Sequence, residues 1–255
     1  MPLNNIAFVG DVHGDLSHLS TAMEDTARLG IDTIIQVGDF WLYDDLILEK
    51  MGRVFDRIEL QFGISMTVHF IDGNHENYNI INPHGDVTHF ITDRLIYHPR
   101  GDVFEVHDVV IGCLGGAVSI DQEMRLEGRD WWRNEAPSFS DLQRAVENFR
   151  DTKIDVLVTH DIPDFALSQV YSGGYPNLYD SDKVRKDLNV IVEESGAPLV
   201  VHGHWHIPSI GDYEKTRVVS LNRDNLPGHV CVTDGHMVLG AERHGLVHFP
   251  IADIT

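Results

Sequence analysis

The chain has 255 residues, 42% of them hydrophobic and 23% charged, enough to bury a substantial core in one large domain or two small ones. Its 40 acidic residues against 19 basic ones give a formal net charge of −21. That balance argues against general binding to a nucleic-acid backbone or an anionic membrane surface, and otherwise reads as solubility.

Ile6–Val9 is a short apolar run that reads as a buried strand, and it stops in Gly10-Asp11-Val12-His13-Gly14-Asp15. Leu16, Leu19, Met23 and Ala27 then recur at helical spacing, with Asp15 able to cap the start and Gly30 the end. The next run, Thr33–Val37, stops in Gly38-Asp39-Phe40-Trp41. Asp44–Phe62 has a helical pattern, and Met66–Ile71 after it stops in Asp72-Gly73-Asn74-His75-Glu76. This strand-helix-strand alternation implies a parallel sheet with right-handed crossovers. The pattern weakens from Asn77 to Pro99, where Pro83 and Gly85 mark a loop. Val103–Val106 and Val109–Leu114 read as a hairpin turning at His107-Asp108, and Gly115-Gly116 opens a polar connection reaching Glu135. A helix over Ser138–Phe149 precedes the run Asp155–Val158, which stops in Thr159-His160-Asp161. A loop rich in Gly, Pro and Tyr, from Pro163 to Tyr179, leads to a helix near Asp182–Glu194. Leu199–Val201 then stops in His202-Gly203-His204-Trp205-His206. Short strands are expected beyond it, at Val218–Leu221, His229–Val232, Met237–Leu239 and Val247–Phe249, with turns at Asp234-Gly235 and Gly245. With no repeat, low-complexity segment or linker, a single domain over 1–255 is expected.

Cys113 and Cys231 lie in separate apolar runs without CxxC-type spacing, so a reduced, cytoplasmic protein is the simplest reading. The first apolar run is too short for a signal peptide, and no stretch is long enough to span a bilayer.

Three histidines at alternate positions, His202, His204 and His206, are a metal-ligand candidate, with a surface histidine run or a hydrogen-bonded strand end as the alternatives for the triplet alone. The stronger signal is that five apolar runs each end in a polar cluster: Asp11 and His13; Asp39; Asn74 and His75; His160; and the histidine triplet. Sites in parallel α/β sheets form outside the carboxyl ends of strands, so five such ends converge if the strands are neighbours. Mixed Asp, Asn and His donors without Cys suit borderline divalent ions such as manganese, iron, cobalt or zinc. So many donors exceed one tetrahedral site and suit two metals with a bridging carboxylate.

Gly-Asp-Val-His, Gly-Asp, Gly-Asn-His-Glu, Thr-His and Gly-His-Trp-His, in this order from Asp11 to His206, resemble the five blocks of the calcineurin-like metallophosphoesterases. The resemblance implies an α/β fold, a four-layer α-β-β-α sandwich of two mixed sheets, with the carboxyl-terminal strands in the second sheet and two metals at the strand ends. Carried over block by block, Asp11, His13 and His206 hold one metal, Asn74, His160 and His204 hold the other, and Asp39 bridges. Manganese is the favoured ion, with iron, cobalt and zinc as alternatives. It further implies hydroxide attack in line on the phosphorus of a small phosphodiester, cyclic nucleotides among the suggested substrates, or of a monoester. His75 matches the family's catalytic histidine, which protonates or stabilises the leaving oxygen. His202 is left at the strand end in a supporting or structural role.

The protein-phosphatase branch continues its Gly-Asp block to Asp-Arg-Gly, whereas Asp39 is followed here by Phe40, Trp41, Leu42 and Tyr43. The phosphate-clamping Arg and the Asp that pairs with the catalytic His are therefore missing there, leaving Asp72, Asp44 or Asp45 to orient His75. In the connection 115–135, which resembles a bacterial and phage subset of the family, Arg125 or Arg129 could clamp a phosphate and Trp131 or Trp132 could stack on a base. Packing of those Trp side chains over a sheet edge is the plainer alternative. A nuclease or protein phosphatase of the same superfamily, and a metal-binding scaffold without catalysis, are the rival readings; no oligomeric state follows from the sequence.

Overall fold

A computed structural model describes residues 6–82, 85, 87–172, 179–226, 228–232 and 236–238. The first half runs β1 (Ile6–Val9), α1 (Leu16–Arg28), β2 (Thr33–Gln36), α2 (Asp45–Phe62), β3 (Thr67–Phe70), α3 (Tyr78–Ile81), β4 (His89–Phe90) and β5 (Leu95–Tyr97). The second runs β6 (Val103–Val106), β7 (Val109–Leu114), α4 (Phe139–Arg150), β8 (Val156–Thr159), α5 (Tyr179–Ser195), β9 (Leu199–His202), β10 (Ser209–Tyr213), β11 (Thr216–Ser220), β12 (Val230–Val232) and β13 (His236–Val238).

Helix ends follow their local signals. The Asp15 carboxylate accepts from the backbone N–H of Ser17 and His18 at 2.9 and 3.0 Å, and Gly30 follows the last turn of α1 at φ 77°. Asp44 caps α2 through the N–H of Ile47, and Ser138 with Asp141 forms a capping box on α4. His107 and Asp108 both hold positive φ, 51° and 62°, which matches the twist a two-residue hairpin turn needs between β6 and β7.

The strands form two mixed sheets, ordered β13-β12-β1-β2-β3-β5-β4 and β10-β11-β9-β8-β7-β6. β1, β2, β3 and β5 are mutually parallel in the first, as are β7, β8, β9 and β11 in the second. Successive side chains of each central strand feed different layers. Ile6, Phe8, Ile35 and Val37 meet Ile111, Val156, Val158 and Val201 between the sheets. Ala7, Val9, Ile34 and Val68 pack with Leu19, Met23, Phe55 and Ile58 of α1 and α2, while Leu157, Val200 and Val218 pack with Phe149, Leu188 and Ile191 of α4 and α5. The result is an α-β-β-α sandwich. Burial of both strand faces is why these strands read as continuous apolar runs rather than as alternations.

One expectation changes. β12 does not join the second sheet: it pairs antiparallel with β1, and β13 pairs with β12, because β1 is otherwise the open edge of the first sheet. β5 and β10 were invisible to the apolar-run criterion; β5 is only three residues long, and β10, Ser-Ile-Gly-Asp-Tyr, is a half-exposed edge strand. Val247–Phe249, Leu239 and the turns at Asp234-Gly235 and Gly245 lie outside the described residues. Among the described residues, no helix is long and apolar enough to cross a membrane.

Candidate metal centre

The five polar clusters meet at one end of the sandwich, three from the first sheet, after β1, β2 and β3, and two from the second, after β8 and β9. They face each other across the inter-sheet core rather than along a single open sheet. The turns that aim them are strained: His13, Asp39, Trp41, His204 and His206 all hold positive φ, between 46° and 68°. Non-glycine residues rarely adopt this region, and they concentrate where a site dictates the backbone. Glycines supply the close approaches. A Cβ on Gly73 would stand 2.1 Å from Asp39 Oδ1, one on Gly203 2.1 Å from Asp11 Oδ1, and one on Gly38 2.3 Å from His160 Nδ1.

Donor atoms of Asp11, His13 and His206 lie within 4.8 Å of one another, as do those of Asp11, Asp39 and His160. Asp11 belongs to both groups, and Asp39 links a histidine of each, with Oδ2 3.5 Å from His13 Nε2 and Oδ1 3.5 Å from His160 Nε2. Asn74 Oδ1 is 3.1 Å from the same His160 nitrogen, and the His204 ring lies 5.1 Å from the His160 ring. His206 Nε2 is 3.0 Å from Asp11 Oδ2.

Partners on the far side of two rings fix which nitrogen faces inward. His160 Nδ1 donates to the Val37 carbonyl at 2.9 Å, and His13 Nδ1 to Asp224 Oδ1 at 2.8 Å. Each Nε2 is thus left facing carboxylate or amide oxygens, a set rich in lone pairs and matched to a divalent cation. The site demands positive charge. Burial opposes ionisation of Asp39, yet the charges of His160 and His75 hold its carboxyl well below the ordinary range. Burial likewise opposes charge on His160 and His13, but Asp39 outweighs it, pushing them up to about 10 and about 9. The residues present therefore fit the divalent metals that the family resemblance implies.

His202 is fully buried in β9, with Nδ1 donating to the Gly203 carbonyl at 3.0 Å; burial pushes its pKa down to about 4, and it belongs to neither donor group. His75 opens onto the cleft. Its backbone N–H donates to Asp39 Oδ1 at 2.8 Å, and the edge of the Trp41 ring packs at 5.7 Å. Among the described residues, no Asp carboxylate is hydrogen-bonded to its ring. Asp44 and Asp45 belong to the start of α2, and Asp72, fully buried, instead takes Tyr78 Oη at 2.9 Å, Tyr97 Oη at 3.0 Å and Arg100 Nε at 2.8 Å. The Trp41 contact depends on Glu76, whose buried carboxylate accepts from the N–H of Phe40 and Trp41 at 2.7 and 3.1 Å. Burial and the charge of Asp39 push Glu76 up to about 8.

A cleft of about 460 Å³ covers the centre, and Asp39, Asn74, His75, Arg125, His204 and His206 are among its lining residues. The 115–135 connection forms one wall, with a 3₁₀ turn at Gln122–Met124 and its return leg fastened by Arg100 to the carbonyls of Asn134, Glu135 and Ala136. Arg125 reaches the cleft, held by Asp121 at 2.7 and 2.8 Å, with Nη2 3.4 Å from His75 Nε2. Arg129 is exposed and pairs with Asp130. Neither Trp131 nor Trp132 is among the residues lining the cleft, and Trp132 is buried in the first sheet's core cluster, its ring 6.1 Å from that of Tyr43. Tyr171 and Trp205 supply the aromatic wall instead.

Sequence reasoning missed Asp224, Ser119, Glu135 and Tyr171. Asp224 was within reach of the strand-end rule: β11 runs parallel to β9 and ends in Leu221-Asn222-Arg223-Asp224, on the same side as the other donors. The others carry no local signal.

The sequence pattern of the calcineurin-like phosphoesterase family matches residues 5–208. No match was found among curated proteins. Among solved structures, the chain is similar to a dimetal phosphatase from Danio rerio (14% identity, 89% of this chain and 90% of that one, TM-score 0.54). It is also similar to the TT1561 protein of Thermus thermophilus (13%, 91% and 91%, TM-score 0.51) and to the phosphopantetheinyl hydrolase of Mycobacterium tuberculosis (14%, 88% and 91%, TM-score 0.51). At these identities the likeness is one of fold.

Proposed function

The chain belongs to the calcineurin-like phosphoesterase family, and on that premise we propose that it is a cytoplasmic, single-domain, two-metal hydrolase of small phosphate esters, acting on phosphodiesters in preference to monoesters. The observation that carries the reading is the inward-facing set His13 Nε2, His160 Nε2, Asn74 Oδ1 and the two buried carboxylates, spanned by Asp39 with about 3.5 Å on either side. Asp11, His13 and His206 form one cation position, Asn74, His160 and His204 the other, and Asp39 is shared. Oxygen and imidazole donors without sulfur favour Mn²⁺ over softer ions, with Fe, Co and Zn as alternatives. When bound, such ions supply Lewis acidity, polarising phosphoryl oxygens and lowering the pKa of water.

The remaining roles fall to side chains around the cleft. His75 Nε2 faces Asn74 Nδ2 at 3.1 Å and Arg125 Nη2 at 3.4 Å. Both neighbours can only donate, so in the neutral ring Nε2 accepts from them and the ring proton sits on Nδ1; with a proton taken up on Nε2, the imidazolium becomes the donor that a leaving oxygen needs, and it returns to this neutral form on giving that proton up. Arg125 sits where it can contact a non-bridging phosphate oxygen. Its charge is offset by Asp121, so among the described residues the cleft lining adds little positive charge beyond the metals themselves. A monoanionic diester asks for less countercharge than a dianionic monoester, which supports the diester preference. Tyr171 and Trp205 offer an apolar wall to the organic group. The net charge of −21 weighs against a nuclease.

Metal-stripped protein titrated with Mn²⁺ and assayed on bis-p-nitrophenyl phosphate and p-nitrophenyl phosphate is the test. Two bound equivalents and faster turnover of the diester are expected. Two equivalents with no hydrolysis of either ester would leave a metal-binding scaffold, and a higher kcat/KM on the monoester would overturn the diester preference.

A further inference from the structure

We infer that Ser119 and Glu135 are positioning residues that set the amide of Asn74 and thereby tie the 115–135 connection to the second cation position. The inference rests on the proposed role of Asn74 as a ligand. An asparagine can present either its oxygen or its NH₂ group to a neighbour, and only the oxygen can hold a cation. Something must choose between the two orientations, and the hydrogen-bond directions around Ser119 do so.

Glu135 takes two donors from one residue, Ser119 N–H on Oε1 at 2.9 Å and Ser119 Oγ–H on Oε2 at 2.5 Å. The single hydroxyl hydrogen of Ser119 is therefore committed, and its oxygen is left as an acceptor. Asn74 Nδ2 donates to that oxygen at 3.0 Å. The second amide hydrogen faces His75 Nε2 at 3.1 Å, and Oδ1 then faces His160 Nε2 at 3.1 Å. Flipping the amide would set Oδ1 against the lone pairs of Ser119 Oγ and turn two N–H groups toward the cation. Ser119, Glu135 and Asn74 are all at most 3% exposed, so water cannot substitute for a lost partner.

The chain of contacts also crosses the fold. Within the 115–135 connection Ser119 and Glu135 flank the part that carries Arg125, and Glu135 is anchored in turn through its carbonyl by Arg100 Nη2 at 2.8 Å. The wall of the cleft and the orientation of a ligand are thus set by the same contacts.

The test is a double-mutant cycle read by metal binding. Aspartate at position 74 has two equivalent oxygens and no amide to orient, so Asn74→Asp removes what Ser119 is inferred to control. Mn²⁺ affinities of both equivalents would be measured by calorimetry on metal-stripped wild type, Ser119→Ala, Glu135→Gln, Asn74→Asp and Asn74→Asp/Ser119→Ala, with thermal melts of each. Removing a supporting partner of a ligand weakens metal affinity roughly 10- to 100-fold. Ser119→Ala should lose that much at one equivalent and leave the other near wild type, with Glu135→Gln weaker in the same direction. In the Asn74→Asp background the further loss from Ser119→Ala should be under about threefold. Equal losses in both backgrounds, or wild-type affinity in Ser119→Ala, would overturn the inference while leaving the metal centre intact. Wild type binding fewer than two equivalents would instead overturn the ligand assignment on which it rests.

Discussion

Gly203→Ala isolates the closeness with which the second sheet approaches the Asp11 carboxylate. A methyl group there would begin 2.1 Å from Asp11 Oδ1 and 3.1 Å from Val37 Cγ2. Ordinary contact starts near 3.4 Å, so the carboxylate must move by about 1.3 Å or the turn carrying His204 and His206 must back away by a similar amount. Asp11 has little room to yield: it is fully buried and bonded to His206 Nε2 and to the backbone N–H of His204. Overpacking of this kind costs about 1–3 kcal/mol of stability, and a displacement of about 1 Å among reacting groups costs on the order of 10²-fold in rate. Gly52 is the matched control, because it lies within α2 with nothing within 4 Å of a Cβ, and Ala there should stabilise by about 0.5–1 kcal/mol. Urea denaturation, metal content and diester turnover would be measured on both variants. Gly203→Ala should keep the fold and lose metal and at least about 10²-fold in kcat/KM, whereas Gly52→Ala should lose neither. Full metal loading and wild-type turnover in Gly203→Ala would refute the idea that glycine is required for this approach.

His75→Ala should keep both metal equivalents, because Ser119 still holds Asn74, and should lower kcat on an alkyl phosphodiester by roughly 10²- to 10⁴-fold; unchanged turnover would remove its proton-transfer role. Arg100→Met strips the cation from the fully buried Asp72, where unpairing a buried charge costs about 3–5 kcal/mol, and denaturation midpoints should fall accordingly. Burial, with the charges of His98 and His107, pushes His69 down to about 3, so the unfolded chain binds its proton first. Its contribution to stability is complete above pH 6.5 and fades as pH falls toward 3, with a slope of at most about 1.4 kcal/mol per pH unit. His69→Phe, which keeps a ring against Phe104, should flatten urea midpoints between pH 6.5 and 4, and an unchanged slope would count against this source of acid sensitivity.

The amino-acid sequence by itself was sufficient for the chemistry of the donors and their common location. Each of Asp11, Asp39, Asn74, His160 and His204 follows a short apolar run, and a strand buried on both faces must stop where polar side chains begin, so the boundary is written locally. The helix caps at Asp15, Asp44 and Ser138 are local in the same way, since a cap and the N–H groups it serves lie within three residues. Tertiary structure decided who supports whom. Asp224 meets His13 from 211 positions away, Glu135 reaches Asn74 only through Ser119, and Arg100 takes Asp72 from any contact with His75. It also decided that β12 closes the edge of β1 and that Trp132, polar in its sequence surroundings, belongs to the core. A buried polar group must be paired, but any donor or acceptor of suitable geometry satisfies it. The need is therefore legible at each residue, whereas the partner is fixed only when packing brings distant segments to within about 3 Å.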